Sequence, residues 1–529
     1  RIGSVLDIYN KDGNRREGQR SVTVGMLASR ALIEGPMEWG SYMVAVRRST
    51  IEPVLSVLRR SQDNIPSSFY FLDVNSKINF DLSKNDKLTA SFYMGQDNLT
   101  FPFAEDAIIN FYYGNRSVSS KYTHIFSEKL FVNVVGTYSN YFSLPGIDFA
   151  DTPIENTNRI NDLSVKSDLQ YFPNSRHQIE TGFWGGSFNF TYNYKDNGKL
   201  VFDEGINTLY GSFYIKDEWQ VADRWKVSPG LRLNYFGDGG HTRLAPRLST
   251  EYLLTPDIRL QAAAGRYYQF LTLVSNEAFS GFDFWLASAD RVPPAYGDQF
   301  VLGAKFRLSD NLNFDVEGYY RTMNDLFELD PTLPEPGGIP YHELFRYGRG
   351  YAYGTELLLQ KSKGQINGFL SYTYGISRRK WGEDVNNNTY FAPKYDRTHD
   401  ANVVVNYLLS NRWYASAVFS YATGQAYTKP LGRYQTSNAP FDYLQLDVFN
   451  VGKVNASRLP AYHRLDLAFT RQNGTFFGMG DAQWKFELIN VYNHKNVWFY
   501  SYDFKDNPIS RNAVTMLPVI PSVSYTVNF

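Results

Sequence analysis

Apolar and polar residues alternate with a period of two along most of this chain, and short polar stretches interrupt the alternation at intervals. Tyr70, Leu72, Val74, Ile78, Phe80 and Leu82 are interleaved with Asp73, Asn75, Lys77, Asn79 and Asp81. Ser83-Lys84-Asn85-Asp86 follows, and Leu88, Ala90, Phe92 and Met94 then return against Thr89, Ser91 and Tyr93. The same design recurs at Phe300–Phe306, where Ser309-Asp310-Asn311 separates it from Leu312, Phe314 and Val316. It recurs again at Ala401–Tyr407, with Ser410-Asn411-Arg412 ahead of Trp413, Ala415, Ala417, Phe419 and Tyr421. Successive side chains of a strand point to opposite faces, so alternation bounded by Asn, Asp, Ser and Gly predicts β-hairpins. The pattern puts Phe314, Val316, Val403, Val405, Ala415 and Ala417 on an apolar face, and Asp315, Glu317, Asn402 and Ser416 on a polar one.

Tight turns are expected near residues 36, 84, 128, 174, 223, 256, 310, 362, 410 and 475. Each joins two strands. With an opening strand at Ile2–Asn10 and a closing one at Pro521–Phe529, the total is about 22, within a range of about 20 to 24. The connections between hairpins are long at Leu271–Tyr296, Asp325–Phe345, Ser377–Lys394 and Thr423–Arg458, and rich in Pro, Gly, Asn and aromatic residues. In the final strand Val523, Tyr525, Val527 and Phe529 alternate with Ser522, Ser524, Thr526 and Asn528, and the chain stops on the aromatic Phe529. A strand with one wholly apolar face at the chain end suits a barrel that faces lipid and must close on itself. Tyr525, Val527 and Phe529 are the expected assembly signal. The fold class is therefore all-β: a transmembrane antiparallel barrel of about 22 strands, with short periplasmic turns and long extracellular loops. A soluble propeller would show a blade repeat of about 40–50 residues, and none recurs.

Composition sharpens this picture. The 53 basic and 53 acidic residues balance, so net charge gives no argument for nucleic acid as a partner. Aromatic residues reach 17%, which suits the girdles at the edges of a membrane barrel. Mean hydropathy is −0.39 and no run of 18 apolar residues occurs, which excludes helical spans; a barrel is compatible with low mean hydropathy, since only every second residue meets lipid. There is no cysteine, hence no disulfide, thiolate ligand or cysteine nucleophile. The opening Arg1-Ile2-Gly3 suggests a piece whose N-terminal region lies elsewhere.

Candidate chemistry is sparse. The seven histidines show no metal-ligand spacing, so no metal site and no cofactor is expected. Small membrane barrels can be proteases or lipases, but no Ser–His or Asp–His rim constellation stands out, and no enzyme is expected. His463 should point to the lipid-side face. Phe279, Phe282, Phe284 and Trp285 cluster in one loop, and Trp381, Tyr390 and Phe391 in another. Such rings either bind solute or pack the loops together. Asp396, Arg397, Asp400, Arg464 and Asp466 read as wall charges, paired with one another or with a plug.

Ordered motifs then suggest a family. Arg1-Ile2-Gly3-Ser4-Val5-Leu6-Asp7-Ile8 with Lys11-Asp12-Gly13-Asn14, Glu34-Gly35-Pro36, Gly40-Ser41-Tyr42 and Arg47-Arg48-Ser49 come first. Ala352-Tyr353-Gly354-Thr355-Glu356, Ser371-Tyr372-Thr373-Tyr374 and Tyr395-Asp396-Arg397-Thr398-His399-Asp400 follow. Arg458–Asp466, Asn490-Val491-Tyr492-Asn493 and Leu517–Ser522 complete the set. Taken together the chain resembles the barrel of TonB-dependent receptors of the Bacteroidetes-like type, over residues 1–529. The resemblance implies an outer-membrane active transporter whose loops bind a scarce solute, siderophore or nutrient, with energy from the inner-membrane TonB–ExbB–ExbD complex. It also implies a plug domain, supplied by the same gene or a separate chain, and insertion into outer-membrane lipid by the barrel assembly machinery. The second reading is a passive diffusion porin, which would need a constriction of opposed charges or a folded-in loop. A barrel that exports polymers is a third.

Overall fold

The computed structural model describes all residues except 1–7, 61–64, 105–106, 150–151, 275–282, 331–338, 383–384, 438–444, 477–478 and 504–509. Twenty-two strands form one antiparallel sheet. The last, Ile520–Asn528, pairs with Met479–Ile489 on one side and with the first, Gln19–Gly25, on the other, so the sheet closes into a barrel. Backbone bonds between Arg20 and Phe529, at 2.8 and 3.1 Å, complete the seam. Among the described residues no helix is long and apolar enough to cross a membrane, and the one α-helix there, Glu52–Leu58, is seven residues long.

The hairpin turns lie where the breaks in alternation predict them. Chain reversals fall between Met37 and Gly40, Asp81 and Asp86, Ser127 and Leu130, Asn174 and His177, and Ala222 and Trp225. They continue between Thr255 and Ile258, Ser309 and Leu312, Lys361 and Ile366, and Ser410 and Trp413. The tenth joins Phe476 to Met479 through residues outside the described set.

The opening strand differs from expectation. The barrel begins at Gln19, not within Ile2–Asn10, of which only residues 8–10 are described. Asn10–Arg15 instead run along the inner face of the strands Gly40–Ser49 and Ser68–Asp81. Polar contacts hold them there: Lys11 pairs with the buried Glu34, Lys77 with Asp12 at 2.5 Å, and Arg15 with Asp81. Gly13 sits at φ +85°, and a Cβ there would lie 2.4 Å from the Tyr42 carbonyl oxygen, so only glycine permits this approach. The physical reason for the difference is the polar run Asn10–Glu17, which cannot present a lipid face and bonds to the wall instead.

The strand Trp225–Phe236 shows how the wall is built. Trp225, Val227, Pro229, Leu231, Leu233 and Tyr235 share one face, and Lys226, Ser228, Arg232 and Asn234 the other. Trp225 to Tyr235 spans ten residues, about 33 Å of strand and about 25 Å along the normal at a tilt near 40°, the height of an apolar membrane band. An aromatic ring marks each edge. On the turn side Trp39, Trp219, Tyr252 and Trp413 are likewise exposed. The sequence-predicted faces hold: Val405 pairs with Ala417 and Phe306 stacks on Phe314, while Ser416 donates to Asn406 at 2.8 Å and Lys305 meets Asp315 at 3.7 Å on the other face. His463 pairs with Tyr421 in the row that continues Phe419, the outward one, as expected.

Strand length is uneven around the barrel. The six strands between Asp86 and Ala222 run 19 to 24 residues, whereas Gln19–Gly25 has 7 and Ile520–Asn528 has 9. A 24-residue strand climbs about 60 Å, so this arc stands as a tall wall above the apolar band. Its loop-side connections are short, because the alternation simply continues where irregular loops are found elsewhere.

Candidate functional site at the loop-side mouth

Inside the tall wall, Phe188, Phe190 and Tyr192 share a face opposite the outward Phe183, and with Phe202, Ile206 and Phe236 they form a buried apolar surface. The connection after Gln269 folds down onto it. Its hairpin, Leu271–Val274 paired with Phe284–Ala287, brings Leu286 and Val274 into the cluster. Phe284 stacks on Tyr192 with centroids 4.5 Å apart and planes 9° apart. Phe270 stacks on Phe236 at 5.3 Å.

Hydrogen bonds fix the hairpin in place. The buried Asn158 accepts from the Trp285 N–H at 2.9 Å and donates to the Trp285 carbonyl at 3.2 Å. The Tyr341 hydroxyl donates to the Ala287 carbonyl at 2.9 Å, and burial pushes that phenol's pKa up. His241 Nε2 lies 2.9 Å from the Ala289 carbonyl oxygen, and the Asp290 N–H donates to Asp238 at 2.9 Å. The connection is thus a shelf built into the mouth.

The loop aromatics divide accordingly. Phe284 and Trp285 belong to the shelf, and Phe279 and Phe282 lie outside the described residues. Trp381 is 7% exposed and packs with Ala295, Met323, Leu326 and Ala352, with Phe391 beside it. Tyr390 is 44% exposed on the other face, edge-on to Tyr351 at 5.1 Å, with the Lys380 ammonium 5.3 Å above its ring.

The five charges are also placed. The Asp396 carboxylate is buried, paired with Arg458, and accepts from the Ser377 N–H at 2.8 Å. Arg458 further donates to the carbonyls of Asp396 and Gly424, at 2.6 and 3.1 Å. One ion pair therefore ties the strand Ile366–Lys380 to two loops. Arg397 lies 5.9 Å from the centre of the Tyr462 ring. Asp400 accepts from Asn402 at 2.7 Å, Arg464 pairs with Asp466 at 2.9 Å, and Asp466 accepts from the Asn490 N–H at 2.9 Å. Asp400, Arg464 and Asp466 share the polar inner row with Asn402 and Ser420. Asn158 gave no signal in the sequence, since nothing in its strand distinguishes it from other inward polar residues.

Below the shelf the lumen is polar. A recess of about 280 Å³ in its wall is lined by Lys216, Glu218, Lys226, Glu251, Gln261 and Glu317 among others. Glu218 pairs with Lys216 at 2.6 Å and Lys226 at 3.3 Å, so most of these charges satisfy one another. Among the described residues no group of three His, Asp or Glu side chains could hold a metal ion. The arrangement offers binding surface and passage.

No curated protein matches the sequence. Solved structures match closely in shape. The ferric yersiniabactin uptake receptor FyuA of Yersinia pestis shares 11% identity at a TM-score of 0.69, covering 97% of this chain and 80% of that one. The ferric-catecholate import receptor Fiu of E. coli K12 shares 10% identity at 0.68, covering 98% and 82%. The ferric citrate transporter FecA shares 12% identity at 0.64, covering 97% and 79%. The model of the TonB-dependent receptor-like β-barrel matches residues 56–493, most of the chain. The chain belongs to that family, the TonB-dependent receptor β-barrels of the Gram-negative outer membrane.

Proposed function

We propose that this chain is the wall and outer mouth of an energised importer, which binds a scarce solute at its loops and releases it inward when the TonB complex acts on a plug. The observation that carries the reading is the inner course of residues Asn10–Arg15. They run inside the barrel, bonded to Glu34, Ser41, Asn75 and Asn79, so the chain approaches its first strand from the lumen. A polypeptide that fills the lumen can pass directly into that course. Asp400, Arg464 and Asp466 then face the plug's polar surface, since buried polar groups must find partners. Asp396 serves the loops instead. The solute binds above, between the shelf and the loops that Asp396 and Arg458 hold together. No residue here is assigned covalent chemistry.

One observation favours the porin reading: a folded-in loop is what a diffusion pore uses as its constriction, and the shelf is such a loop. Its contacts argue the other way. The hairpin buries apolar rings against one arc of the wall, whereas a 22-stranded barrel leaves a much wider lumen than one hairpin fills. Conductance in planar bilayers tests this. The 529-residue chain alone should conduct as a wide, poorly selective pore, and the plug-encoding segment should close it. Small, ion-selective conductance would favour the porin.

A further inference from the structure

Arg47 shows how the inner wall holds an organic cation. Its guanidinium lies 4.7 Å from the centre of the Phe71 ring, and its Nε donates to Asp73 at 2.7 Å. A ring face and a carboxylate share the charge. Arg47 faces Asp73 across the ladder between Gly40–Ser49 and Ser68–Asp81, on the same lumen row as Asn75 and Lys77.

The same parts recur one strand along, open to the lumen. In the strand Asp86–Ala104 the inner row runs Tyr93, Gly95, Asp97. Asp97 stands between two rings, opposite Phe71 on one ladder and Tyr113 on the other, and side chains directly opposite on one face touch. Gly95 makes room for the ring below: a Cβ there would strike the Tyr93 hydroxyl. Tyr93 is 37% exposed and Tyr113 43%, so both faces are available to a solute. Higher on the same rows the wall turns apolar, where Ile109 and Phe111 are buried with Leu99 and Ile147 against them. Attraction between Asp97 and a cation is therefore less screened than in open water. Tyr141, diagonal to Tyr113, accepts a hydrogen bond from the Trp285 side chain, so this surface abuts the shelf. An alkylated ammonium suits such a place, since it draws its attraction from ring faces and a carboxylate more than from hydrogen bonds.

We propose that the mouth takes a solute bearing an alkylated ammonium group, which Asp97 holds against the faces of Tyr93 and Tyr113. The inference rests on the reading of the mouth as a solute-binding site and adds the charge that the solute carries.

The test uses the full protein in detergent, titrated with choline and with its neutral isostere 3,3-dimethylbutan-1-ol, binding being read by saturation-transfer NMR. Choline should bind, and the isostere about tenfold more weakly. Asp97→Asn should weaken choline about tenfold and leave the isostere unchanged. Tyr113→Phe keeps the ring face and should retain the affinity, whereas Tyr113→Leu should lose about fivefold. The folded band on unheated gels separates lost binding from lost folding, and Tyr93→Leu replaces Tyr113→Leu if that variant fails to fold. Equal affinity for choline and the isostere would overturn the proposal. So would unchanged choline binding in the Asp97→Asn variant, or a wild type that does not bind choline. Binding in detergent needs neither the TonB complex nor energy. A passive pore that binds choline would therefore sink only the import reading, and an energised importer indifferent to choline would sink only this proposal.

Discussion

Replacing Leu302 by arginine tests the assignment of faces. Leu302 is 69% exposed on the outward row Phe300, Leu302, Ala304 and Phe306, opposite Ala262 and Gly318. Four residues separate it from Phe306, which stacks on Phe314 at the turn-side edge. That separation is about 10 Å along the normal, close to the middle of a band about 25 Å tall. An arginine at that depth costs about 2–4 kcal/mol, a loss of about thirtyfold or more in the folding equilibrium. Val301, one residue earlier, faces the lumen recess lined by Glu251 and Glu317, where a new guanidinium meets water and carboxylates. Val301→Arg should therefore cost at most about 1 kcal/mol. Refolding from urea into lipid vesicles, read by the shift of the folded band on unheated gels, measures both. Equal midpoints for the two variants, or the larger loss at Val301, would refute the register.

Three further perturbations follow from the mouth and the seam. Asn158→Ala leaves the buried N–H and C=O of Trp285 without their partner, at about 1–3 kcal/mol each, so protease should cut the shelf faster while the barrel still folds; unchanged cleavage would count against the tether. Asp396→Ala leaves the Ser377 N–H without its acceptor and frees the exposed Arg458, and should destabilise the two joined loops by about 1–3 kcal/mol, seen as faster amide exchange at Gly424–Leu459 with the strands unaffected. Deleting Phe529 removes both seam bonds to Arg20 and should leave unfolded chain in the periplasm; normal surface levels would contradict its part in closure.

Much of the architecture is legible in the sequence because lipid on one side and water on the other force a strict period of two. The turns at Ser83–Asn85 and Asp310–Asn311 are legible for the same reason: short polar residues break that period. The first strand is not. Its hairpin to Ala28–Met37 turns at Met26-Leu27, which carries no turn chemistry, whereas Ile2–Ile8 looks strand-like in isolation. The rings in the loops could not be sorted either. Phe284 and Trp381 are as aromatic as Tyr390, and only their partners, Tyr192 for one and Ala352 for the other, show that they pack and do not face solvent. The role of Asp396 depends on Arg458, which meets it only once two loops have folded together.

The central claim is energised import, and solute uptake with the energy source removed tests it most directly. A deletion strain grown on a panel of iron and carbon sources identifies the solute, and uptake of that solute is then followed in cells expressing the full protein. With the TonB complex deleted, or an uncoupler added, uptake should fall to the level of the deletion strain while surface binding remains. Uptake that continues unchanged without the inner-membrane energy source would contradict the account and establish a passive pore.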